Sequence, residues 1–215
     1  MDKKTHEELE KIAEEIRQCT KCPLHKGRTN AVPGEGGFEK GILFIGEAPG
    51  RNEDLQGRPF VGRAGQLLNE LLDSIGLTRD DVFITNIVKC RPPNNRDPAP
   101  EEVKACSPYL ERQIQVLKPR IIVTLGRHAW KWVCEHFGVP YEGISKAHGK
   151  IYRTNTLLYG TITVMPMYHP AAAIYNKELL PVLREDFKRL GKFISENQRE
   201  IVETQKLWEG GSREN

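Results

Sequence analysis

Apolar residues recur along the chain in two rhythms, one helical and one of strand length, and the way these alternate predicts the architecture. Leu9, Ile12 and Ile16 repeat at helical spacing behind Thr5 and Glu8, which read as a capping box, so residues 6–18 are expected to form a helix. An apolar run of strand length, Ile42 to Ile45, then ends in a turn punctuated by glycine and proline. Leu67, Leu68, Leu71, Leu72 and Ile75 form a second helical face, stopped by Gly76. Val82 to Val88 and Arg120 to Leu125 read as the second and third strands, with a helix between them that begins near Pro100 and ends before Pro119. A further helix from Gly126 to Phe137 is closed by Gly138, whereas residues 139–160 carry no clear period. Thr161 to Met167 is a fourth strand, leading through His169 and Pro170 into a helix around Leu179 to Ile194.

Strands alternating with helices predict an α/β fold of three layers, αβα, around a central, mainly parallel four-stranded sheet covered on both faces. The 215 residues fit one domain of sizeable core. We place it over residues 1–195, with 196–215 as a C-terminal helical extension and a flexible tail, GGSREN. No stretch reaches the ~18 consecutive apolar residues of a membrane span. The N-terminal THEELEKIAEEIRQ is acidic and amphipathic, unlike a secretion signal, so a cytoplasmic monomer is expected. A net charge of +3, from 32 basic and 29 acidic residues, neither requires nor excludes a nucleic-acid partner.

Cysteine usage changes the picture more than charge does. Five cysteines without a signal sequence argue against a disulfide framework. Cys19 and Cys22 form a C-x2-C pair after the first helix, and Cys90 and Cys106 follow the second strand with 15 residues between them. Four thiolates on two stretches can close a tetrahedral zinc site or hold an iron-sulfur cluster, and the spacing does not choose between these. A thioredoxin-like redox pair is the weaker alternative, because two further partners lie downstream. Cys134 stands outside the set and reads as a buried structural thiol.

Three polar residues sit where strands end: Glu47 after the first, Asn86 in the second and His169 after the fourth. Taken singly, each has an ordinary explanation as a solvated turn residue, a backbone-satisfying amide or a capped turn. Placed on neighbouring parallel strands, they would converge on the crevice at the carboxyl ends, where open α/β sheets bind ligands.

The stretches that carry these residues are GEAPG at 46–50, RPFVGRAG at 58–65, TNIVKCRPPNNR at 85–96, TLGRHA at 124–129 and YHPAAA at 168–173. In this order, and over roughly Cys19 to Leu190, the chain resembles the family 4 uracil-DNA glycosylases, the iron-sulfur branch of that superfamily. The resemblance implies a monofunctional enzyme that hydrolyses the N-glycosidic bond of uracil in single- or double-stranded DNA, starting base excision repair. It also turns the cysteine reading toward a 4Fe-4S cluster held by Cys19, Cys22, Cys90 and Cys106, tying the first helix to the loop after strand two.

On the same resemblance, a flipped uracil is bound by Glu47, Ala48, Pro49, Glu53, Phe60, Asn86 and His169. Phe60 would stack on the ring, and the Asn86 amide, donor and acceptor together, would match uracil O4 and N3–H while mismatching cytosine. His169 would donate to O2 as negative charge develops there. Glu53 would sit against C5 and exclude the thymine methyl. In the best-known glycosylases of the wider superfamily an aspartate follows the motif's second residue, and here Ala48 occupies that place. Glu47 is therefore the candidate for positioning water or stabilising the sugar cation. Arg91, Asn94, Asn95 and Arg96 lie in a proline-rich loop suited to phosphate contacts. The leucine that usually enters the minor groove is Ala173 here, which leaves Ile174 or Tyr175 as the wedge. Two other classes compete: a catalytically silent iron-sulfur protein that binds nucleic acid or scaffolds repair, and an α/β enzyme holding a nucleotide by its phosphates. The second lacks a P-loop or G-x-G-x-x-G fingerprint.

Overall fold

The computed structural model describes residues 2–210, with side chains described through 197. Its elements follow in the order α1 (Lys3–Arg17), β1 (Glu35–Gly36), β2 (Ile42–Gly46), α2 (Arg51–Gln56), α3 (Arg63–Asp73), β3 (Val82–Asn86), α4 (Pro100–Leu117) and β4 (Ile121–Leu125). The chain continues through α5 (Arg127–Phe137), α6 (Ile144–Ala147), β5 (Tyr152–Thr156), β6 (Gly160–Met167), α7 (Pro170–Tyr175) and α8 (Leu179–Gly210).

The sheet has six strands, in the order β1-β3-β2-β4-β6-β5. The four central strands are parallel and are the four expected, while β1 and β5 add antiparallel edges. Both edges escape the apolar pattern for physical reasons. β1 is only two residues long, and β5, Tyr-Arg-Thr-Asn-Thr, is half-buried at alternate positions and carries almost no apolar side chain.

The parallel strands are buried on both faces, which is why they read as continuous apolar runs. Successive residues point to opposite layers. Leu43, Ile45 and Ile122 pack with α1, α4 and α5 around Ile16, Leu110, Ile114 and Trp130. Ile42, Phe44, Ile121 and Val123 pack with α3 and α8 around Leu68, Leu71, Leu72 and Phe187. Two apolar layers around one sheet make the αβα sandwich.

Register decides where the functional residues meet. Gly46 pairs with Asn86 at the end of the β2–β3 ladder, and Leu125 pairs with Met167 at the end of the β4–β6 ladder. The residues that follow, Glu47, Gly126 and Tyr168-His169, therefore leave the sheet at one edge.

The ends of the chain differ from expectation. Asp2, not Thr5, caps α1: its Oδ1 accepts from the Thr5 amide at 2.7 Å, so Thr5 lies inside the helix. A carboxylate at the N-cap also complements the positive end of the helix dipole. α8 runs without a break past residue 195 to Gly210, so the expected extension continues the last domain helix. Residues 211–215 of the predicted tail lie outside the described residues. Among the described residues, no helix is long and apolar enough to cross a membrane.

Candidate active site and metal centre

Four of the five cysteines open on one cavity. Cys19 and Cys22 reach it from the end of α1, Cys90 from the continuation of β3 and Cys106 from α4; Ile16, Val88, Ala105 and Tyr109 are among the residues that complete the wall. All four are free thiols. Burial penalises the charged form, so Cys22 and Cys90 are raised above the ordinary thiol range and Cys106 is pushed up to about 12. Cations oppose that burial: Arg28 donates to Cys90 Sγ at 3.2 Å and Lys89 acts on Cys106, whose Sγ also accepts from the Lys89 amide at 3.2 Å. Arg28 donates in addition to the carbonyls of Arg17 and Cys19, fixing the turn that delivers the C-x2-C pair. Soft sulfur donors on a common cavity, with the Arg28 guanidinium and the Lys89 amide already turned toward them, fit a thiolate-bound metal centre. Cys134 is buried in α5 and does not line the cavity.

Four residues before Cys90, the same segment enters the second site. Asn86 is 2% exposed and its Oδ1 is a buried acceptor without a hydrogen-bond partner in the structure. Such atoms are rare because each costs about 1–3 kcal/mol; among the described residues the others are Arg79 Nε and Thr124 Oγ1. Gly46 makes the room. A Cβ there would collide with Asn86 Oδ1 and with the Phe60 ring, so glycine is required by the approach of both side chains.

Phe60 is buried and takes a left-handed backbone, φ 52°. That conformation is uncommon outside glycine and is held here by its surroundings. Arg79 donates to the carbonyls of Pro59 at 2.6 Å and Phe60 at 3.2 Å, and Glu53 Oε1 accepts from the amides of Val61 and Gly62 at 3.0 and 3.1 Å. Gly65 lets the Phe60 carbonyl come close, since any Cβ there would strike it. The Phe60 ring stacks on His169, centroids 5.5 Å apart and planes 26° from parallel.

His169 is the N-cap of α7. Its Nδ1 accepts from the Ala171 amide at 3.0 Å, which leaves the proton of the neutral ring on Nε2. Burial pushes its pKa down to about 4, against a smaller opposing pull from Glu53. At neutral pH the ring is thus an uncharged donor of fixed tautomer. Gly126, with φ +93°, lies against its Cβ.

Glu47 is half-buried at the mouth of β2, and burial raises its carboxyl above the ordinary range. Its Oε2 lies 3.7 Å from His128 Nε2, which is itself 3.2 Å from Asp97 Oδ2. Ala48 packs half-buried on the apolar layer beside it, and Pro49 is buried.

Not every predicted residue falls where expected. Ala173 is 3% exposed and packs into the α3–α8 layer, so it is a core residue and no wedge. Ile174 is half-buried, and Tyr175, 92% exposed, is the projecting side chain of that turn. In the proline-rich loop the Arg96 guanidinium is occupied by a two-point pair with the buried Glu102, at 2.9 and 2.7 Å. Arg91 donates to Asn95 at 2.7 Å, and Asn94 and Asn95 are exposed with left-handed backbones. Glu53 has one carboxylate oxygen on loop amides, so it shapes the wall around Phe60. Sequence reading passed over Arg28, Arg79, Asp97 and His128. His128 lies inside the TLGRHA stretch, where the histidine was a visible signal; nothing in the local pattern marks the other three.

The sequence matches the model of the family described as the uracil DNA glycosylase superfamily over residues 33–192. A type-4 uracil-DNA glycosylase of Saccharolobus solfataricus is 55% identical over 189 residues, covering 87% of each chain. One from Archaeoglobus fulgidus is 49% identical over 193 residues, covering 89% of this chain and 96% of that protein. A type-5 uracil-DNA glycosylase of Thermus thermophilus is 38% identical over a shorter stretch of 136 residues, 56% of this chain and 62% of its own.

Proposed function

The chain belongs to the uracil-DNA glycosylase superfamily, in its type-4 branch, and from that premise we propose how its own residues select uracil and cleave its glycosidic bond in DNA repair. The observation that carries the reading is the unpartnered Asn86 Oδ1, which meets the edge of the Phe60 ring over Gly46. Uracil N3–H supplies the missing donor, and the Asn86 amide NH2 donates to O4. Cytosine presents an acceptor at N3 and an amino group at C4, so both contacts would be mismatched. The base reaches this crevice only when flipped out of the stack, and Phe60 then lies against its face.

Cleavage leaves negative charge on uracil O2 and positive character on the sugar. His169 Nε2–H meets O2 as a neutral donor, since a ring with pKa about 4 does not take up a second proton at neutral pH, and neutral imidazole is too weak an acid to give up its own. Glu47, as carboxylate, faces the sugar side and orients the attacking water or stabilises the cation. Glu53, Arg79 and Gly65 hold the Phe60 turn so that the wall is formed before the base arrives. Tyr175 is the side chain best placed by exposure to fill the gap left in the duplex.

Cys19, Cys22, Cys90 and Cys106 hold a 4Fe-4S cluster in this reading. Bound there, the cluster supplies a covalent tie between α1, α4 and the segment after β3, with no redox part in hydrolysis. The partner is uracil-containing DNA, held mainly through its phosphates, and the working unit is a monomer in the cytoplasm. Release of free uracil from a uracil-containing single-stranded oligonucleotide tests the reading directly. An intact, iron-loaded protein that binds the oligonucleotide without releasing uracil would overturn it.

A further inference from the structure

Glu47 does not stand alone at the mouth of β2. α5 brings His128 and Arg127 to it, and the loop before α4 brings Asp97. His128 Nε2 lies 3.7 Å from Glu47 Oε2 and 3.2 Å from Asp97 Oδ2, while Arg127 reaches Asp97 Oδ2 at 3.1 Å and His128 Nε2 at 3.1 Å. Other charged groups nearby are engaged elsewhere. Glu53 is on the Val61 and Gly62 amides, His169 on the Ala171 amide, and Lys89 on Thr85 and Gln113.

The geometry of His128 holds a choice. One nitrogen cannot accept from Arg127 and donate to Asp97 at the same time. Neutral with the proton on Nδ1, the ring accepts from Arg127; protonated, its Nε2–H turns to the carboxylates. Resting on the reading of Glu47 given above, we propose that His128 and Asp97 are positioning residues for Glu47, which hold its carboxylate in the crevice and set its charge from opposite sides. A protonated His128 favours the Glu47 anion and Asp97 opposes it, as Coulomb's law requires of a cation and an anion at these distances. Burial works in the same sense as Asp97, so His128 in its protonated form, helped more weakly by Arg127, is the group that favours the Glu47 anion.

A purely structural role predicts slower cleavage without a change in pH dependence. A charge-setting role predicts shifts of opposite sign. Single-turnover uracil release from a uracil-containing single-stranded oligonucleotide, followed against pH, separates the two. In the wild type the rate rises with pH through the Glu47 ionisation. For His128→Gln this acid limb is expected to move up by about one pH unit, and for Asp97→Asn down by about the same amount, with Asp97→Glu restoring it. Both positions are solvent-accessible, with side chains 36% and 59% exposed, so the fold tolerates the changes. Affinity for the same oligonucleotide is expected to hold within about twofold, because phosphate contacts dominate it. Glu47→Gln anchors the comparison. If it loses the limb while His128→Gln and Asp97→Asn leave the limb in place, or move it in one direction, the positioning proposal falls alone. If Glu47→Gln cleaves at the wild-type rate with the limb intact, the catalytic reading of Glu47 falls, and this proposal with it.

Discussion

The cysteine cavity and the crevice lie at the two ends of one short segment, residues 86–90, yet they are built in opposite ways. At Cys90 the chain meets a cavity of sulfur and apolar groups, and the strongest polar groups, Arg28 and the Lys89 amide, already point at sulfur. At Asn86 it meets a wall whose backbone is tightly satisfied by Arg79 and Glu53 but whose central acceptor has no partner. One site reads as a permanent tie, complete when its ligands are in place; the other is completed only by a transient visitor. The difference teaches how to tell them apart: a resident group leaves a cluster of like donors, whereas a substrate leaves an unpartnered acceptor beside a wall whose backbone is already satisfied. Backbone bonds join the two, since Ile87 and Val88 donate to the carbonyls of Gly46 and Glu47 at 3.0 Å.

The largest expected effect breaks the comparison from the cavity side. Cys106→Ser removes a buried ligand of the proposed cluster, and because metal binding to such a site is coupled to folding, iron and thermal stability are expected to go together. Cys134→Ser changes a thiol of similar burial outside the cavity and is expected to keep full iron, with stability lowered by about 1 kcal/mol. Iron content per chain with a melting curve checks both. Equal iron in the two variants would mean that the four-cysteine cavity is no metal centre.

A smaller but sharper effect belongs to the crevice. Asn86→Ala removes the amide whose acceptor is proposed to meet uracil N3–H, and the chemical step is expected to slow by roughly 10³ fold with folding and iron unchanged. Gly46→Ala leaves the amide in the chain but drives a methyl into its Oδ1 and into Phe60, so a comparable loss is expected from displacement alone. Single-turnover uracil release reads both. Near wild-type cleavage by Asn86→Ala would show that the orphaned acceptor has no part in reading the base.

The central sheet was legible because strands buried on both faces read as nearly continuous apolar runs, as Ile42–Ile45 does throughout and Ile121–Leu125 does but for Thr124. The four cysteines that share a cavity were legible as a set from their C-x2-C pair and the two thiols downstream, with Cys134 standing apart. What local pattern could not show was anything that depends on distant partners. β5 is held by its ladder to β6, not by its own polar residues, and Arg79 acts on Pro59 and Phe60, carbonyls 20 and 19 residues away in sequence. The motif put Ala173 at the wedge position and left Ile174 or Tyr175 to fill it, and only the packing of α7 on α3 and α8 shows which of these projects, turning Ala173 inward and leaving Tyr175 outside. Asp97 joined the site only because the loop before α4 folds back to α5.

The smallest effect sharpens the comparison by asking whether the crevice was built for a neutral donor. His169→Ala is expected to slow uracil release by about 10² fold while leaving DNA affinity nearly intact, the usual loss for one donor to a developing oxyanion. The charge of the ring then gives a second, independent check. Its pKa in the folded protein is about 4, below the ordinary histidine value of about 6.5, because burial disfavours the cation. Between these two values the unfolded chain binds a proton that the folded protein does not, so this residue makes stability fall as pH drops from about 6.5 toward 4. The contribution is constant above that window. His169→Gln keeps a polar side chain and removes the titration, so its stability is expected to decline less steeply than that of the wild type over the same range, with the two curves parallel at higher pH. Denaturant unfolding at several pH values measures this. Curves that stay parallel down to pH 4 would mean that the folded protein protonates the ring as readily as the unfolded chain does, so that burial would not be what holds the donor to O2 neutral.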